Sequence, residues 1–428
     1  MNIFKRPMFF AAISAVLVTA ISLYYFKIAA LIVAVIFVLL LFSIIKFGAK
    51  YIIVLLAFLL FVLSLFLEKQ KINIIKNIDN KIATGEFVVL SEPTQYEKFN
   101  LVTLKVKNSK VLPKNTKYTV FDNSKSTFSM GDTVIAKVKV NVIEEDDEYR
   151  FYNYGNSVYA TLSMSSFERL NKTNHLYKLF GNVQRYVKSK LNSFFDGDTS
   201  GLLIALTLGD KTNLSDKFLN NVKTTGISHI IVVSGMHLSI IMAVIFIFID
   251  RLFYNKYLRS LISVFSVMLI MGVCGFTMSV VRAGVMFIVA GLAPVFNREN
   301  DLLNSLFTAI TFVLIATPFA IFNVSFQLSV VSTLALILVL PFYRKTIIDK
   351  LKISSKPIRV ILDIVLCSIF VTIFTLPIII KIFGYVSIVA PLTNLVVTFP
   401  TTIMLIFNVL ALLLSAVPIL RILSIPLF

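Results

Sequence analysis

Two histidines and a serine interrupt an apolar stretch, TTGISHIIVVSGMHLSIIM, that otherwise has the composition of a membrane-spanning helix. On a continuous helix, at about 100° per residue, His229, Val233 and His237 fall along one stripe. Ser234 lies one turn before His237. Hydrocarbon penalises unpaired imidazole and hydroxyl groups, so these side chains should face a protein interior or a water-filled path. The stripe therefore predicts hydrogen-bonded helix packing, the lining of a conduit, or hydrolytic or metal chemistry.

Hydrolytic and metal chemistry have little support elsewhere in the chain. Nucleophilic catalysis needs a base and an orienting partner, and a metal site generally needs about three protein ligands. The one further histidine is His175, and there is neither an HEXXH nor a GXSXG motif. Cys274 and Cys367 lie far apart in apolar runs, so a disulfide or thiolate site is not indicated. We expect no enzyme activity, metal or cofactor, with an intramembrane hydrolase as an alternative.

Further polar side chains stand in other apolar runs. Arg282 is the outstanding one, because an arginine at mid-bilayer costs about 2.5 to 3.5 kcal/mol even on the lenient insertion scale. It should face a lumen, where it would attract phosphate, or snorkel to an interface. Asn323 and Gln327, in NVSFQLS, are explained either by interhelical hydrogen bonds or by a place along a conduit. The candidate channel-lining set is His229, Ser234, His237, Arg282, Asn323 and Gln327.

The composition fixes the class of protein. With 57% hydrophobic residues, a mean hydropathy of +0.87 and repeated apolar runs of about 20 residues, the chain is predicted to be a polytopic α-helical membrane protein. A soluble fold is excluded. The first run is interpreted as an uncleaved anchor. Spans are expected near 8–26, 28–45, 51–67, 230–250, 260–276, 280–296, 303–321, 324–342 and 360–380, with one or two broken or re-entrant helices in 385–428.

Positive charges in the short loops indicate the orientation. Lys5 and Arg6 precede the first predicted span, and Lys46 and Lys50 join the second to the third, which favours a cytoplasmic amino terminus. An odd number of spans then places residues 68–200 outside. The net charge of +19 favours an anionic partner, either nucleic acid or lipid headgroups, although the positive-inside rule explains much of it.

Three blocks of sequence occur in an order shared with a known family. They are GLLIALTLGDKTNLSDKFLNNVKTTGISHIIVVSGMHLSII, SVVRAGVMFIVAGLAPVFNRENDLLNSL and PFAIFNVSFQLSVVSTLALI. Together they resemble the membrane competence domain of the ComEC family of DNA-uptake channels. The resemblance covers residues 195–400 and, more weakly, the preceding polar segment.

This resemblance implies a channel subunit that translocates single-stranded DNA across the bacterial cytoplasmic membrane during natural transformation. It also implies an extracytoplasmic DNA receptor as a partner. Family members often carry a carboxy-terminal metallo-β-lactamase-like domain that is associated with nuclease activity. This chain ends without that domain, so we expect a separate nuclease. A transporter of a smaller anionic solute is the alternative.

Energy for such uptake is expected from another protein. Moving each negative charge inward against an inside-negative potential costs about 2.3 kcal/mol per 100 mV. The sequence contains no G-X-X-X-X-G-K-[ST] loop. A cytoplasmic DNA-pulling ATPase is therefore a predicted partner.

Residues 84–170 show the period-two alternation of half-buried strands, as in LVTLKVK and TVIAKVKVNV. Their pattern resembles the small extracytoplasmic OB-type β-barrel of the same family. Such barrels bind single strands with a basic groove and stacking rings, at about 1 to 3 kcal/mol per base. The alternative is that the lysines lie on an ordinary solvent-exposed face of the sheet and that the aromatic rings fill its core. The DNA-binding candidates are Lys105, Lys107, Lys137, Lys139, Tyr118, Phe121, Tyr152 and Tyr154.

The segment between the β domain and the channel is predicted to be helical. Residues 176–195 have an apolar face and a basic remainder, which is typical of an amphipathic helix on membrane lipid. Short helices follow at 200–208 and 215–224, capped by Thr199 and Ser215, and the resemblance implies that they cover the outer mouth. The predicted division is 1–67 for about three helices, 68–171 for the OB-like domain, 172–228 for the amphipathic and mouth helices, and 229–428 for the channel bundle.

Overall fold

A computed structural model describes nine ranges of the chain, and its residues group into two compact units. The first unit comprises Met1–Gln184 and Phe307–Val324, and the second comprises Arg185–Leu306 and Ser325–Phe428. The described ranges are 6–22, 26–47, 50–95, 99–122, 128–144, 150–231, 234–343, 356–384 and 389–416.

Three apolar helices begin the first unit: α1 (Pro7–Ser22), α2 (Phe26–Phe47) and α3 (Lys50–Lys76). They pack against one another. Small side chains on α1, among them Ala11 and Ala15, are buried and allow a close approach. The Nζ atom of Lys69 donates to the backbone oxygen of Ser22 at 2.6 Å, which joins α3 to the end of α1.

A six-stranded sheet forms the polar part of the first unit. Its strand order is β1-β5-β6-β4-β3-β2, and β1 also pairs with β3, so the path β1–β5–β6–β4–β3 returns to β1. Every pair is antiparallel except β4 with β6. The strands are β1 (Ile82–Val89), β2 (Thr94–Gln95), β3 (Asn100–Ser109), β4 (Lys117–Asp122), β5 (Asp132–Val142) and β6 (Val158–Thr173).

The predicted alternation is confirmed along β5. Val134, Ala136, Val138 and Val140 are buried, while the residues between them are exposed. Because successive side chains of a strand point to opposite faces, this pattern gives the sheet one apolar, buried face and one solvent-exposed face.

A short helix, α4 (Arg150–Gly155), packs against the 3₁₀ helix Pro318–Phe322 within the same unit. A β-carbon on Gly155 would lie 2.6 Å from the backbone nitrogen of Asn323 and 2.9 Å from the carbonyl carbon of Phe322. Only glycine permits this approach, since both obstacles are backbone atoms.

The second unit is helical. In it, α9, α10 and α11 enclose an apolar cluster that includes Leu238, Met271 and Val280, and Gly284 allows Met271 to pack closely against α11. Three of the helices, α5, α12 and α13, continue into the first unit. The helices that lie in this unit wholly or in part are α5 (His175–Phe194), α6 (Gly197–Leu208), α7 (Asp216–Thr224), α8 (Ser228–Ile231), α9 (Gly235–Leu252), α10 (Lys256–Val273), α11 (Met278–Leu292), α12 (Leu302–Ala316), α13 (Val324–Tyr343), α14 (Lys356–Phe383) and α15 (Ala390–Ala416).

Within the described residues, five helices are long and apolar enough to cross a membrane, which is consistent with the predicted polytopic membrane protein. Other predicted spans form shorter apolar stretches. The five candidates are Tyr51–Lys76, Gly235–Leu252, Lys256–Val273, Val365–Ile382 and Val396–Ser415. The shorter stretches at the predicted spans are Pro7–Ser22, Ile28–Leu40, Met278–Leu292, Leu302–Ala316 and Val324–Val339.

The caps of the short helices correct one sequence prediction. Ser215 caps α7 as expected, since its Oγ accepts from the N–H of Phe218 at 3.2 Å. The cap of α6 is Asp196 and not Thr199, because the helix begins earlier, at Gly197.

Candidate polar site in the membrane helices

The helix predicted through residues 230–250 is interrupted near its start. Helix α8 ends at Ile231, Ser234 has an extended backbone with φ −111° and ψ 171°, and α9 begins at Gly235. The predicted single stripe along a continuous helix is therefore wrong. His229 belongs to α8, but its side chain and all of Val233 lie outside the described part of the structure.

Ser234 and His237 form the cap of α9. The backbone N–H of Ser234 donates to Nδ1 of His237 at 3.1 Å, and the Ser234 Oγ lies 3.3 Å from the same atom. His237 thus takes the place that glutamate or glutamine holds in a capping box. Because Nδ1 accepts an N–H, the imidazole is the neutral tautomer with its proton on Nε2.

This arrangement does not suit a serine hydrolase. The Nδ1 atom has one lone pair, and the backbone N–H already uses it, so the ring is poorly placed to take a proton from Ser234. His237 is 1% exposed. Within the described residues, no group of three or more histidines, cysteines and carboxylates is arranged to hold a metal ion.

Arg282, on α11, lies beside this cap. Its guanidinium is so close to α9 that a β-carbon on Gly235 would lie 2.5 Å from Nη2. The Nη1 atom donates to Oγ1 of Thr333 at 2.6 Å and lies 3.4 Å from the sulfur of Met286. The residue is 4% exposed, so the alternative of a side chain snorkelling to an interface is wrong.

Thr333 is oriented to receive the arginine. Its hydroxyl donates to the backbone oxygen of Ser329, one turn earlier on α13, at 2.8 Å. The lone pairs of Oγ1 are thereby left for Arg282. The sequence analysis missed Thr333, because one threonine in an apolar helix commonly bonds its own backbone and gives no signal of a distant partner.

The site carries a net positive potential. Among the residues that the structure describes, no ion pair involves Arg282, and its Nε has no hydrogen-bond partner. The amino terminus of α9, against which the guanidinium lies, adds the partial positive charge of a helix end. A buried cation and a helix amino terminus therefore share one location.

Asn323 does not belong to this site. It lies in the first unit, is 5% exposed, and donates from Nδ2 to Oδ1 of Asn156 at 2.8 Å. Its side chain fixes the turn before β6 against the 3₁₀ helix, and its place along a conduit stays a prediction. Gln327 lies half-buried on α13 in the second unit, and its lining role stays a prediction.

Two of the predicted stacking rings are in the core of the first unit. Tyr118 is 0% exposed, and burial raises the pKa of its hydroxyl well above the usual range. Tyr154 is buried against Tyr159 and Phe319, with ring centroids 5.2 and 6.0 Å away. Neither ring offers a face to a base, so both predictions were wrong. The alternation of Lys117 and Thr119 with Tyr118 and Val120 in KYTVFD was the signal that could have revealed the first.

Two other predicted rings remain accessible. Tyr152 is 53% exposed, and Phe121 is half-buried on β4, where it packs edge to face with Phe99 at 5.2 Å. Accessible rings of this kind can stack on bases.

The predicted lysines lie on two strands. On β3, Lys105 stands opposite Lys117 of β4, and Lys107 forms an ion pair with Glu86 at 2.8 Å. On β5, Lys137 and Lys139 are both exposed. Lys105 and Lys117 thus pair across the neighbouring strands β3 and β4, and Phe121 follows Lys117 by four residues along β4.

Comparison with known proteins locates the polar site within a matched region. A family model described as Competence protein matches residues 206–428. ComE operon protein 3 of Bacillus subtilis (strain 168) is 26% identical over 256 residues, which are 59% of this chain and 31% of that protein. The chain therefore spans about a third of the length of this curated relative. No solved structure matches.

Proposed function

This chain belongs to the Competence protein family of the ComEC type, and we propose that it forms a conduit for single-stranded DNA across the bacterial cytoplasmic membrane during natural transformation. The observation that carries the proposal is Arg282, a buried cation at the amino terminus of α9 without an ion-pair partner among the described residues. A buried charge is costly and marks a functional path in membrane proteins. A polyanion in transit is the substrate that such a charge favours.

The proposed path runs through the bundle of residues 229–428. The positively charged short loops are proposed to face the cytoplasm, which places the amino terminus of the chain in the cytoplasm and the β domain outside.

The β domain is proposed to be an OB-type barrel that receives the strand. Its support is the closed pairing path of five strands with one parallel pair. OB folds bind oligonucleotides on the face of their second and third strands, which here correspond to β3 and β4. That face carries Lys105, Lys117 and Phe121, whereas Lys137 and Lys139 on β5 lie off it.

Three proteins and membrane lipid are the proposed partners. The membrane potential opposes the entry of a polyanion, so a cytoplasmic ATPase pulls the strand. An extracytoplasmic receptor delivers the DNA, and a nuclease removes the complementary strand. Membrane lipid contacts the amphipathic helix α5, whose basic residues suit anionic headgroups.

A transporter of a smaller anionic solute is the second candidate. It is favoured by Arg282 being the one buried arginine among the described residues, because one guanidinium suits one anion as well as it suits one nucleotide of a strand. Labelled DNA distinguishes the two functions. A strain without the chain should bind DNA at its surface at the normal level and fail to internalise it; normal internalisation would contradict the DNA conduit and leave the solute transporter.

A further inference from the structure

We propose that Arg282, Thr333 and the first turn of α9 form a discrete binding site for one phosphodiester group of the DNA strand. This inference rests on the proposed function and adds to it a ligand group and the atoms that hold it. Three features support the site: an edge of the guanidinium without a hydrogen bond, the amides of α9, and the absence of a side chain at Gly235.

One edge of the buried guanidinium makes no hydrogen bond within the described residues. Nη1 is occupied by Thr333 and Met286, whereas Nε and Nη2 make no hydrogen bond within the described residues. These two nitrogens form the side of the planar fork that matches two oxygens of a phosphate. The threonine contact therefore fixes the plane of the fork without using its bidentate edge.

The first turn of α9 supplies further donors at the same place. The first backbone hydrogen bond of the helix runs from the N–H of Leu238 to the oxygen of Ser234. Helix geometry leaves the preceding amides of Gly235 and Met236 without an intrahelical acceptor. Amides in this position bind phosphate, and the helix dipole favours the negative charge.

Gly235 allows the guanidinium nitrogens of Arg282 to lie close to the first amides of α9. A β-carbon there would lie 2.5 Å from Nη2, so any larger residue displaces the guanidinium from the helix end. Glycine also lets a phosphate oxygen approach the backbone closely. The His237 ring accepts from the Ser234 backbone, which keeps the imidazole lone pair directed at the cap and away from an incoming anion.

Binding to the purified full chain in maltoside micelles tests the site. Inorganic phosphate is titrated at constant ionic strength, with chloride as the reference anion, and the shift in the thermal unfolding midpoint is recorded. Wild type should be stabilised by phosphate. Arg282→Gln should weaken phosphate binding by about 10-fold or more, because the bidentate charge-assisted contact is lost. Arg282→Lys should recover part of the affinity, since it keeps the charge but not the fork.

Two variants keep the test decisive if Arg282→Gln does not fold. Thr333→Val removes the anchor of the guanidinium at nearly constant volume, and it should also weaken phosphate binding. Arg259→Gln is the matched control, because Arg259 is a partly exposed arginine of the same unit that pairs with Asp250 at 3.4 Å. Equal phosphate affinity in wild type, Arg282→Gln and Thr333→Val would overturn the site.

A second pair of titrations identifies the source of the phosphate. The proposal expects oligothymidylate to compete with inorganic phosphate in wild type but not in Arg282→Gln. Competition by short-chain phosphatidylglycerol alone would assign the site to a lipid headgroup and overturn the strand phosphodiester. If phosphate binds as expected while a strain lacking the chain still takes up DNA, the proposed function fails and the anion site stands.

Discussion

The guanidinium of Arg282 occupies the space that a side chain at Gly235 would fill: a β-carbon there would lie 2.5 Å from Nη2. The two residues belong to different helices, α11 and α9, and the contact holds a buried cation against a helix amino terminus. Such an arrangement is unfavourable unless an anion offsets it. The first prediction follows directly from this contact.

Gly235→Ala should displace the guanidinium and reduce DNA internalisation by about 10-fold or more, while the protein remains in the membrane. Internalised DNA is measured as the nuclease-resistant label, normalised to the amount of membrane protein. Gly291→Ala is the control, because its added β-carbon would meet the nearest atom, on Ser263, at an ordinary 3.6 Å. Equal uptake by wild type and Gly235→Ala would show that the position of the guanidinium is unimportant.

Two buried tyrosines of the first unit should respond oppositely to removal of their hydroxyl groups. Tyr159 donates to Oε2 of Glu68 at 3.0 Å, so Tyr159→Phe should lower the free energy of unfolding by about 1.5 to 3 kcal/mol, as for a hydrogen bond to a charged group. The buried hydroxyl of Tyr118 has no partner among the described residues, so Tyr118→Phe should leave stability unchanged or raise it. Denaturant unfolding of the two variants checks this, and a larger loss for Tyr118→Phe would contradict it.

Asp210 should make the second unit sensitive to acid. Burial alone would raise the pKa of its carboxyl, but the Lys188 side chain and the Thr212 amide and hydroxyl together lower it. A lowered folded-state pKa gives stability that is present above the ordinary pKa, about 3.9, and lost as pH falls through the lowered value. The midpoint temperature of thermal unfolding should therefore decrease as the pH is lowered below about 4 in wild type. The decrease should be less steep in Asp210→Asn. The exposed Asp196→Asn is the control; an identical acid profile for wild type and Asp210→Asn would count against the linkage.

The β3–β4 face should bind single-stranded DNA in the intact purified chain. Replacing Lys105 with Gln and Phe121 with Ala should each weaken oligothymidylate binding, by loss of a phosphate contact and of about 1 to 3 kcal/mol of stacking respectively. Lys139→Gln, on β5, should have little effect. Fluorescence anisotropy at several salt concentrations measures this, with affinity expected to fall as salt rises. Salt-independent binding, or equal loss for Lys139→Gln, would place the contact elsewhere.

The sequence predicts best what depends on neighbours along the chain. Strand alternation was visible in TVIAKVKVNV because the period of two is local, and the same rule applied to KYTVFD would have buried Tyr118. The three-residue spacing of Ser234 and His237 was also visible. Their use as a helix cap was not, because the stripe requires a continuous helix, whereas Ser234 has an extended backbone and a new helix begins at Gly235.

The other features of the candidate site depend on tertiary contacts between residues far apart in the chain, and the local sequence gives no sign of such contacts. Arg282 and Thr333 are 51 positions apart, and only the packing of α11 against its neighbours brings their side chains to 2.6 Å. Asn323 appeared equivalent to Gln327 because both are polar residues in one apolar run. Its hydrogen bond to Asn156, 167 positions away, assigns it to the first unit.

DNA internalisation by an Arg282→Gln strain measures whether the buried guanidinium is needed for uptake. In the bacterium that encodes this chain, surface-bound and nuclease-resistant labelled DNA are measured side by side, with Arg282→Lys and Arg259→Gln strains at matched levels of membrane protein. We predict normal surface binding in every strain, an internalised fraction reduced by about 10-fold or more in Arg282→Gln, and partial recovery in Arg282→Lys. Internalisation at the wild-type level in a folded Arg282→Gln protein would contradict this prediction.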